Sequence, residues 1–269
     1  VKMYSVESTG LLTPLGADGT LERGGFAEGK TTVSAQTFGR IEGLTRSQII
    51  NDDMGVFHQL WSNWGTLAPR TYEEAVYTTL LENAPTMFTA AGGNLATTGS
   101  ELTIDGLTKV CQLIGKRTTA DGSPLFDDPK YILVGTALEP IARALMTHEF
   151  VNWNTVSKNA PTQKNLLCGK FQVLKSPYLD NTALKQKIYK KNRGKAFPNQ
   201  SASQYFILPS ANDICGTPLI AAFLNGNRVP TIETEDADFE RLGMQWRIYT
   251  DFGVSVWKPE LAIRATGEA

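Results

Sequence analysis

The chain has 269 residues, of which 41% are hydrophobic and 20% charged, a composition typical of a globular protein that can bury a core without disulfides or metal. Its formal net charge of −1 argues against a protein drawn as a whole to nucleic acid or to a membrane. The three cysteines form no C-x-x-C pair and no apolar run reaches transmembrane length, so we expect a soluble protein without a zinc site.

The first motif along the chain is the spacing of a phosphate-binding loop, G-x-x-x-x-G-K-[ST]. Its residues are Gly24, Gly29, Lys30 and Thr31. A working loop of this kind follows a buried strand and opens a helix. Here the preceding residues are polar and glycine-rich, and the β-branched run Thr31–Val33 favours an extended chain. We therefore predict a strand, and a nucleotide-binding enzyme acting through Gly24–Thr31 is a distant alternative.

The stretch from 5 to 39 holds few large apolar side chains and many glycines. Residues 10–15 and 30–38 are predicted as two strands joined by a glycine-rich loop. A two-stranded hairpin is marginally stable alone, and this one has too little apolar surface to form a core layer. It is therefore either a flexible arm or an arm that lies on another molecule, and its β-rich second strand favours the latter.

A long amphipathic helix is predicted after the hairpin. A Thr-x-x-Gln capping box at 45–48 opens a short helical turn, and apolar residues then recur at three- and four-residue steps over 54–82. Pro69 is expected to kink or break this helix, and Thr71 with Glu74 would cap a second segment. If the helix is continuous, it forms a rod of about 45 Å.

The rest of the chain alternates helices and strands, which predicts a mixed α+β fold. Helices are predicted near 104–116 and from Thr136 to about Met146, and an Asn-Gly-Asn bend at 225–227 is predicted to interrupt a strand. The predicted strands are 131–135, 170–179, 204–210, 219–234 and 244–257. Within the last of these, 251–253 are expected to form a turn.

Two charge runs lie in the second half of the chain, a basic run at 185–195 and an acidic run at 233–240. Solvated surface is the default interpretation of both. The alternatives are that the basic run contacts nucleic acid, or that the two runs meet between subunits and set their register. No spacing typical of a catalytic or metal site is present, so we expect no enzyme activity, no cofactor and no metal.

The order of these elements resembles the major capsid proteins of tailed bacteriophages, which have the Hong Kong 97-type fold. The strongest likeness lies in "TFGRIEGLTRSQIINDDMGVF" followed by "VYTTLLENAP", and it resembles the Mu-like prophage head-subunit branch. The stretches "YILVGTALEPIARALM", "FLNGNRVPTIET" and "MQWRIYTDFGV" extend the likeness over nearly the whole chain.

The resemblance implies a division of this α+β chain into an N-terminal arm, an extension-loop β-hairpin, a peripheral domain that carries a long spine helix, and an axial domain. The implied bounds are 1–9 for the arm, 10–40 for the extension loop, 41–100 with 236–269 for the peripheral domain, and 101–235 for the axial domain. Some members of this family link Lys to Asn covalently, but no residue pattern here predicts such a bond.

The resemblance also implies a structural role, self-assembly into an icosahedral shell that encloses a phage genome. The expected partners are other copies in pentamers and hexamers, portal and scaffolding or decoration proteins, and packaged double-stranded DNA without sequence-specific contact. No contact with a membrane is expected. The protein would be located in the virion, after assembly in the bacterial cytoplasm. An encapsulin-like compartment on the same fold is the alternative. The residues expected at inter-subunit contacts are Leu12, Leu15, Leu21, Phe26, Lys30, Val33, Arg40, Lys190, Lys191, Arg193, Glu235 and Asp236.

Overall fold

The computed structural model describes residues 2–9, 14, 25–51, 56–118, 125, 129–151, 163–210, 216–236 and 242–268. Within these ranges the strands are β1 (Lys2–Thr9), β2 (Gly25–Thr32), β3 (Gln36–Thr45), β4 (Leu95–Ala96), β5 (Pro129–Val134), β6 (Phe150–Val151), β7 (Gln163–Lys164), β8 (Gln172–Lys175), β9 (Tyr205–Pro209), β10 (Leu219–Phe223), β11 (Thr231–Asp236), β12 (Gly243–Val256) and β13 (Ile263–Ala265). The helices are α1 (Arg46–Ile50), α2 (Val56–Met87), α3 (Ile104–Gly115) and α4 (Glu139–Thr147), with 3-10 turns at Leu224–Gly226 and Pro259–Leu261.

The N-terminal hairpin pairs β1 with β2 in antiparallel register, from Lys2 opposite Thr32 to Thr9 opposite Gly25. A hairpin was predicted, but the partner of β2 is 2–9 and not the predicted strand 10–15, of which the structure describes only Pro14. The predicted strand 30–38 is also divided, because the chain leaves the ladder after β2 and begins β3 at Gln36.

A second sheet is built around β12. One edge of β12 pairs with β3, from Gly243 opposite Thr45 to Phe252 opposite Gln36. The other edge pairs with β11 and then β10, which follow each other along it and are separated by the 3-10 turn. The predicted bend is confirmed, with Asn225 at φ 53°. The predicted turn at 251–253 is wrong, because these residues lie inside β12.

α2 is one helix of 32 residues, about 48 Å long at 1.5 Å per residue. It runs through Pro69, so the continuous rod forms and the second capping box does not. The Thr71 hydroxyl donates to the carbonyl of Leu67 at 2.7 Å, whereas the Glu74 carboxylate accepts from a distant loop. Packing along the helix, where Ala75 is completely buried, outweighs the local cost of the proline.

The third sheet has the order β4-β13-β9-β5-β8 and is covered on both faces. Ile132 and Val134 of β5 pack with α3 and α4, while Leu133 packs with the C-terminal half of α2. Because successive side chains alternate between faces, burial of both faces requires continuous apolar strands. This sheet joins strands from both predicted domains, and the domain boundaries remain a prediction.

Candidate inter-subunit surface

The hairpin of β1 and β2 leaves its described side chains largely in solvent. Lys2, Glu28 and Lys30 are exposed, and Tyr4 has 61% of its surface exposed. Val33, which follows the hairpin, is completely buried and fixes the point where the hairpin leaves the body. Because an isolated two-stranded sheet is marginal and its strand edges are templates for pairing, this hairpin is suited to cover another protein surface.

The same strand accounts for the phosphate-loop motif. Gly29, Lys30 and Thr31 lie inside β2 and pair with β1, and the next element is the strand β3 and not a helix. The extended-strand interpretation is therefore confirmed, and the nucleotide-binding hypothesis loses the helix N-terminus on which it depends.

One face of the β3–β12 sheet is covered by α2. The Trp64 indole N–H donates to Glu42 Oε2 at 3.2 Å. The Tyr72 hydroxyl is 2.7 Å from the Thr250 hydroxyl, and its ring stands edge-on to Phe252 with centroids 4.7 Å apart. These contacts hold the sheet rigidly on the long helix.

The opposite face of this sheet is open and polar. Glu233 of β11 pairs with Arg247 of β12 and accepts a hydrogen bond from the Tyr249 hydroxyl at 3.0 Å. Hydrogen bonds from Arg247 and then Tyr249 hold the pKa of the Glu233 carboxyl below its usual value, so this glutamate is charged at neutral pH. On β3, at the other side of Arg247, Ile41 has 67% of its surface exposed.

The basic run 185–195, called here the basic loop, is folded against α2. Glu74 is only 8% exposed. Its carboxylate accepts hydrogen bonds from the backbone N–H groups of Lys187 and Ile188. The Tyr189 ring packs edge-on against Phe38 of β3, with centroids 5.8 Å apart. The backbone of the basic loop is therefore anchored to both the helix and the second sheet.

A cleft of about 320 Å³ lies where β3, the N-terminal half of α2 and the basic loop meet. We call it the basic cleft, because its lining includes Arg40, Lys187, Lys190 and Arg193. Leu67 of α2 lies in its apolar wall. The cleft brings together cations that are about 150 residues apart in the sequence, Arg40 of β3 and those of the basic loop.

The predicted contact residues have different outcomes. Those outside the described residues are Leu12, Leu15 and Leu21, and those described only by their backbone are Phe26 in β2 and Asp236 in β11. Those with exposed side chains are Lys30, Arg40, Lys190, Lys191, Arg193 and Glu235. Val33 is a correction, because a side chain that is 0% exposed within one subunit presents no surface to another.

The residues that organise this surface are not evident from the sequence pattern. The pattern predicts Glu74 in a helix cap and places Tyr189 only within the charged run 185–195. The available signal for Glu74 was an acidic residue inside the apolar stripe of a long helix, since a buried carboxylate requires hydrogen-bond donors.

Among the residues that the structure describes, no group of three or more His, Cys, Asp or Glu side chains is placed to hold a metal ion. In the same part of the chain, every helix is too short or too polar to cross a membrane.

A family model described as "Phage capsid protein" matches residues 28–265. The chain belongs to this family of phage capsid proteins. The match begins inside β2 and ends at the last residue of β13, so it includes the basic loop, both larger sheets and α2. None of the curated proteins compared with this capsid protein matches it.

Solved phage capsids share the fold at very low sequence identity. The capsid of cyanophage P-SCSP1u has 10% identity and a TM-score of 0.62 over 98% of this chain and 83% of its own. The capsid of Helicobacter pylori bacteriophage KHP30 has 10% identity and a TM-score of 0.62 over 100% and 85%, and that of Myoviridae phage XM1 has 9% and 0.55 over 99% and 85%. The predicted Hong Kong 97-like fold is confirmed.

The family match decides between the hypotheses drawn from the sequence. A bacteriophage capsid protein is supported, and neither the encapsulin-like compartment nor the nucleotide-binding enzyme is favoured. Within the capsid family, the Mu-like branch remains a prediction.

Proposed function

We propose that this capsid protein is the major head subunit of a tailed bacteriophage and that it assembles with copies of itself into an icosahedral shell around double-stranded DNA. The observation that carries the proposal is the hairpin of β1 and β2, whose described side chains are exposed although it is paired and attached to a rigid body. Heterologous contacts between copies close into rings, and many weak contacts per subunit make the shell stable.

Within this proposal, the hairpin lies over the neighbouring subunit, and 101–235 form the axial domain around the five- and six-fold axes. The peripheral domain comprises 41–100 and 236–269. Portal and scaffolding or decoration proteins join the shell, which assembles in the bacterial cytoplasm and forms part of the virion. The subunit acts as a structural protein without catalysis. The likeness quoted for the sequence supports placement in the Mu-like head-subunit branch.

The hairpin can be tested by deletion of residues 1–31, which keeps the buried Val33 and all of the second sheet. We expect this variant to keep the helix content and the melting temperature of the unassembled subunit, because the hairpin's described side chains add little to the core. It should form no closed particles, whereas the full chain should form shells that are visible by negative-stain electron microscopy.

Two outcomes would contradict different parts of the proposal. Closed particles from the deletion variant would remove the role of the hairpin. Failure of the full chain to form any particle would count against the capsid function itself, and particles that hold a protein cargo without DNA would indicate a compartment and not a virus.

A further inference from the structure

The basic cleft is positively charged and contains no acid of its own. Arg40 pairs with Glu42 at 2.7 Å, but Lys187, Lys190 and Arg193 form no ion pair with any residue that the structure describes. None of the residues that line the cleft is aspartate or glutamate. Lysine and arginine side chains gathered in a partly apolar cleft repel one another, so an external carboxylate would stabilise this arrangement.

The strand β11 carries the negative charges that the cleft lacks, on Glu233 and Glu235. These two side chains face away from the cleft of their own subunit. Glu233 is opposite Arg247 and Glu235 is opposite Gln245, whereas Ile232 is opposite Ile248, which lines the cleft. Because side chains alternate along a strand, both glutamates lie on the open face of the sheet. They can therefore reach a basic cleft only on another copy.

We propose that the basic cleft receives the acidic face of β11, which carries Glu233 and Glu235, from a neighbouring copy of this chain. This inference rests on the proposed shell function and specifies one of its contacts. β11 and β3 are at opposite edges of the same sheet, so the contact joins two different surfaces, and in the proposed shell it runs heterologously from each copy to the next. Contacts of that kind close into rings, and the opposite charges fix which edge meets which.

The alternative occupant is the phosphate backbone of nucleic acid, and the geometry favours the protein strand. The cleft has an apolar wall from Leu67, Ile188 and Ile248, and its volume of about 320 Å³ suits a few side chains. The face of the sheet that carries Glu233 and Glu235 also carries Ile41, which has 67% of its surface exposed. A cleft with an apolar wall matches this mixed acidic and apolar face better than it matches a uniformly charged backbone.

A charge-exchange experiment on the full chain tests the proposal. Arg193→Glu and Glu235→Lys should each raise the subunit concentration needed for shell assembly by about tenfold or more, because each places like charges together. The double variant should return to within about threefold of the wild type, because the pair is restored in reverse. Assembly is followed by sedimentation and by electron microscopy.

Lys195→Glu and Glu101→Lys are the matched controls, since both residues are exposed and Lys195 lies in the same loop outside the cleft. They change the net charge equally and should assemble as the wild type does. If the wild type forms shells and both Arg193→Glu and Glu235→Lys assemble normally, the inference is overturned and the shell function is unaffected. If Arg193→Glu impairs assembly and Glu235→Lys does not, the inference is also overturned, and nucleic acid is then indicated as the occupant of the cleft.

A peptide experiment avoids any effect of the substitutions on folding. A synthetic peptide with the sequence of residues 229–240 should inhibit assembly of the wild-type subunit by occupying the cleft. The same peptide with glutamine in place of Glu233 and Glu235 should inhibit at least about tenfold less, because charge-assisted hydrogen bonds are lost. Equal inhibition by the two peptides would contradict the charge pairing.

Discussion

At the scale of single residues, Tyr205 shows how the core tolerates an imperfection. Its side chain is completely buried, and its hydroxyl has no hydrogen-bond partner among the residues that the structure describes. Burial raises the pKa of this phenol above its usual value, so it stays neutral. A buried hydroxyl without a partner costs free energy that an apolar ring would not.

Tyr205→Phe should therefore leave the free energy of unfolding unchanged or raise it by about 1 kcal/mol. Phe206→Ala is the contrasting variant, because Phe206 is equally buried on the opposite face of β9. Its truncation should lower the free energy of unfolding by about 3–5 kcal/mol. Urea unfolding of the unassembled subunit measures both. A large loss for Tyr205→Phe would mean that the hydroxyl has a partner, such as an internal water.

At the scale of elements, Glu74 is the residue that fixes the basic loop to α2. Replacing it with alanine leaves the backbone N–H groups of Lys187 and Ile188 without an acceptor. An unsatisfied buried donor costs about 1–3 kcal/mol, so we expect the loop to open. Amide hydrogen exchange at 187 and 188 should accelerate strongly in Glu74→Ala, while exchange within α3 stays unchanged.

Glu74→Gln is the matched control for that prediction. The glutamine oxygen can accept the same two hydrogen bonds, so exchange at 187 and 188 should remain close to that of the wild type. If both variants open the loop equally, the negative charge and not the hydrogen bonding holds it. If neither does, the packing of Tyr189 on Phe38 is sufficient by itself.

The elements that sequence analysis predicted well are those specified by local chemistry. α3 spans Ile104–Gly115, within the predicted 104–116, because its apolar residues repeat at helical spacing and Thr103 caps it by accepting from the Gly106 N–H at 3.2 Å. The bend at Asn225 needed only an Asn-Gly pair. At 45–48, the Thr45 backbone N–H donates to Gln48 Oε1 at 3.0 Å, as the capping box predicts.

The elements predicted poorly depend on partners distant in the sequence. β1 pairs with β2 across a long connection, and strand propensity does not specify which of several polar strands is the partner. The basic cleft joins Arg40 with residues near 190, and only the tertiary fold brings them together. The same holds for Glu74, because its position in the sequence is as compatible with a helix cap as with a buried acceptor that holds the basic loop.

At the scale of the whole molecule, the hairpin is joined to the body through residues 33–35, which cross closely over β12. A methyl group on Gly253 would lie 2.1 Å from the carbonyl oxygen of Ser34. No rotamer change can relieve this distance, because the methyl carbon is attached directly to Cα and the carbonyl belongs to the backbone. With Val33 completely buried beside it, this crossing sets the direction in which the hairpin leaves the subunit. The absence of a side chain at 253 is thus linked to the proposed assembly.

Gly253→Ala should therefore displace 33–35, lower the stability of the subunit by about 1–3 kcal/mol and reduce the yield of closed shells more than this loss explains. Gly65→Ala provides the comparison, because a methyl group there meets nothing within 4 Å and the exposed helix position should gain about 1 kcal/mol. Urea unfolding of both subunits and particle counts by electron microscopy measure the two effects. Normal shells from Gly253→Ala, with its stability loss present, would show that the hairpin reaches its neighbour regardless of how it leaves the body. The length of the hairpin would then determine whether it contacts the neighbouring subunit, and the crossing at 33–35 would matter only for folding.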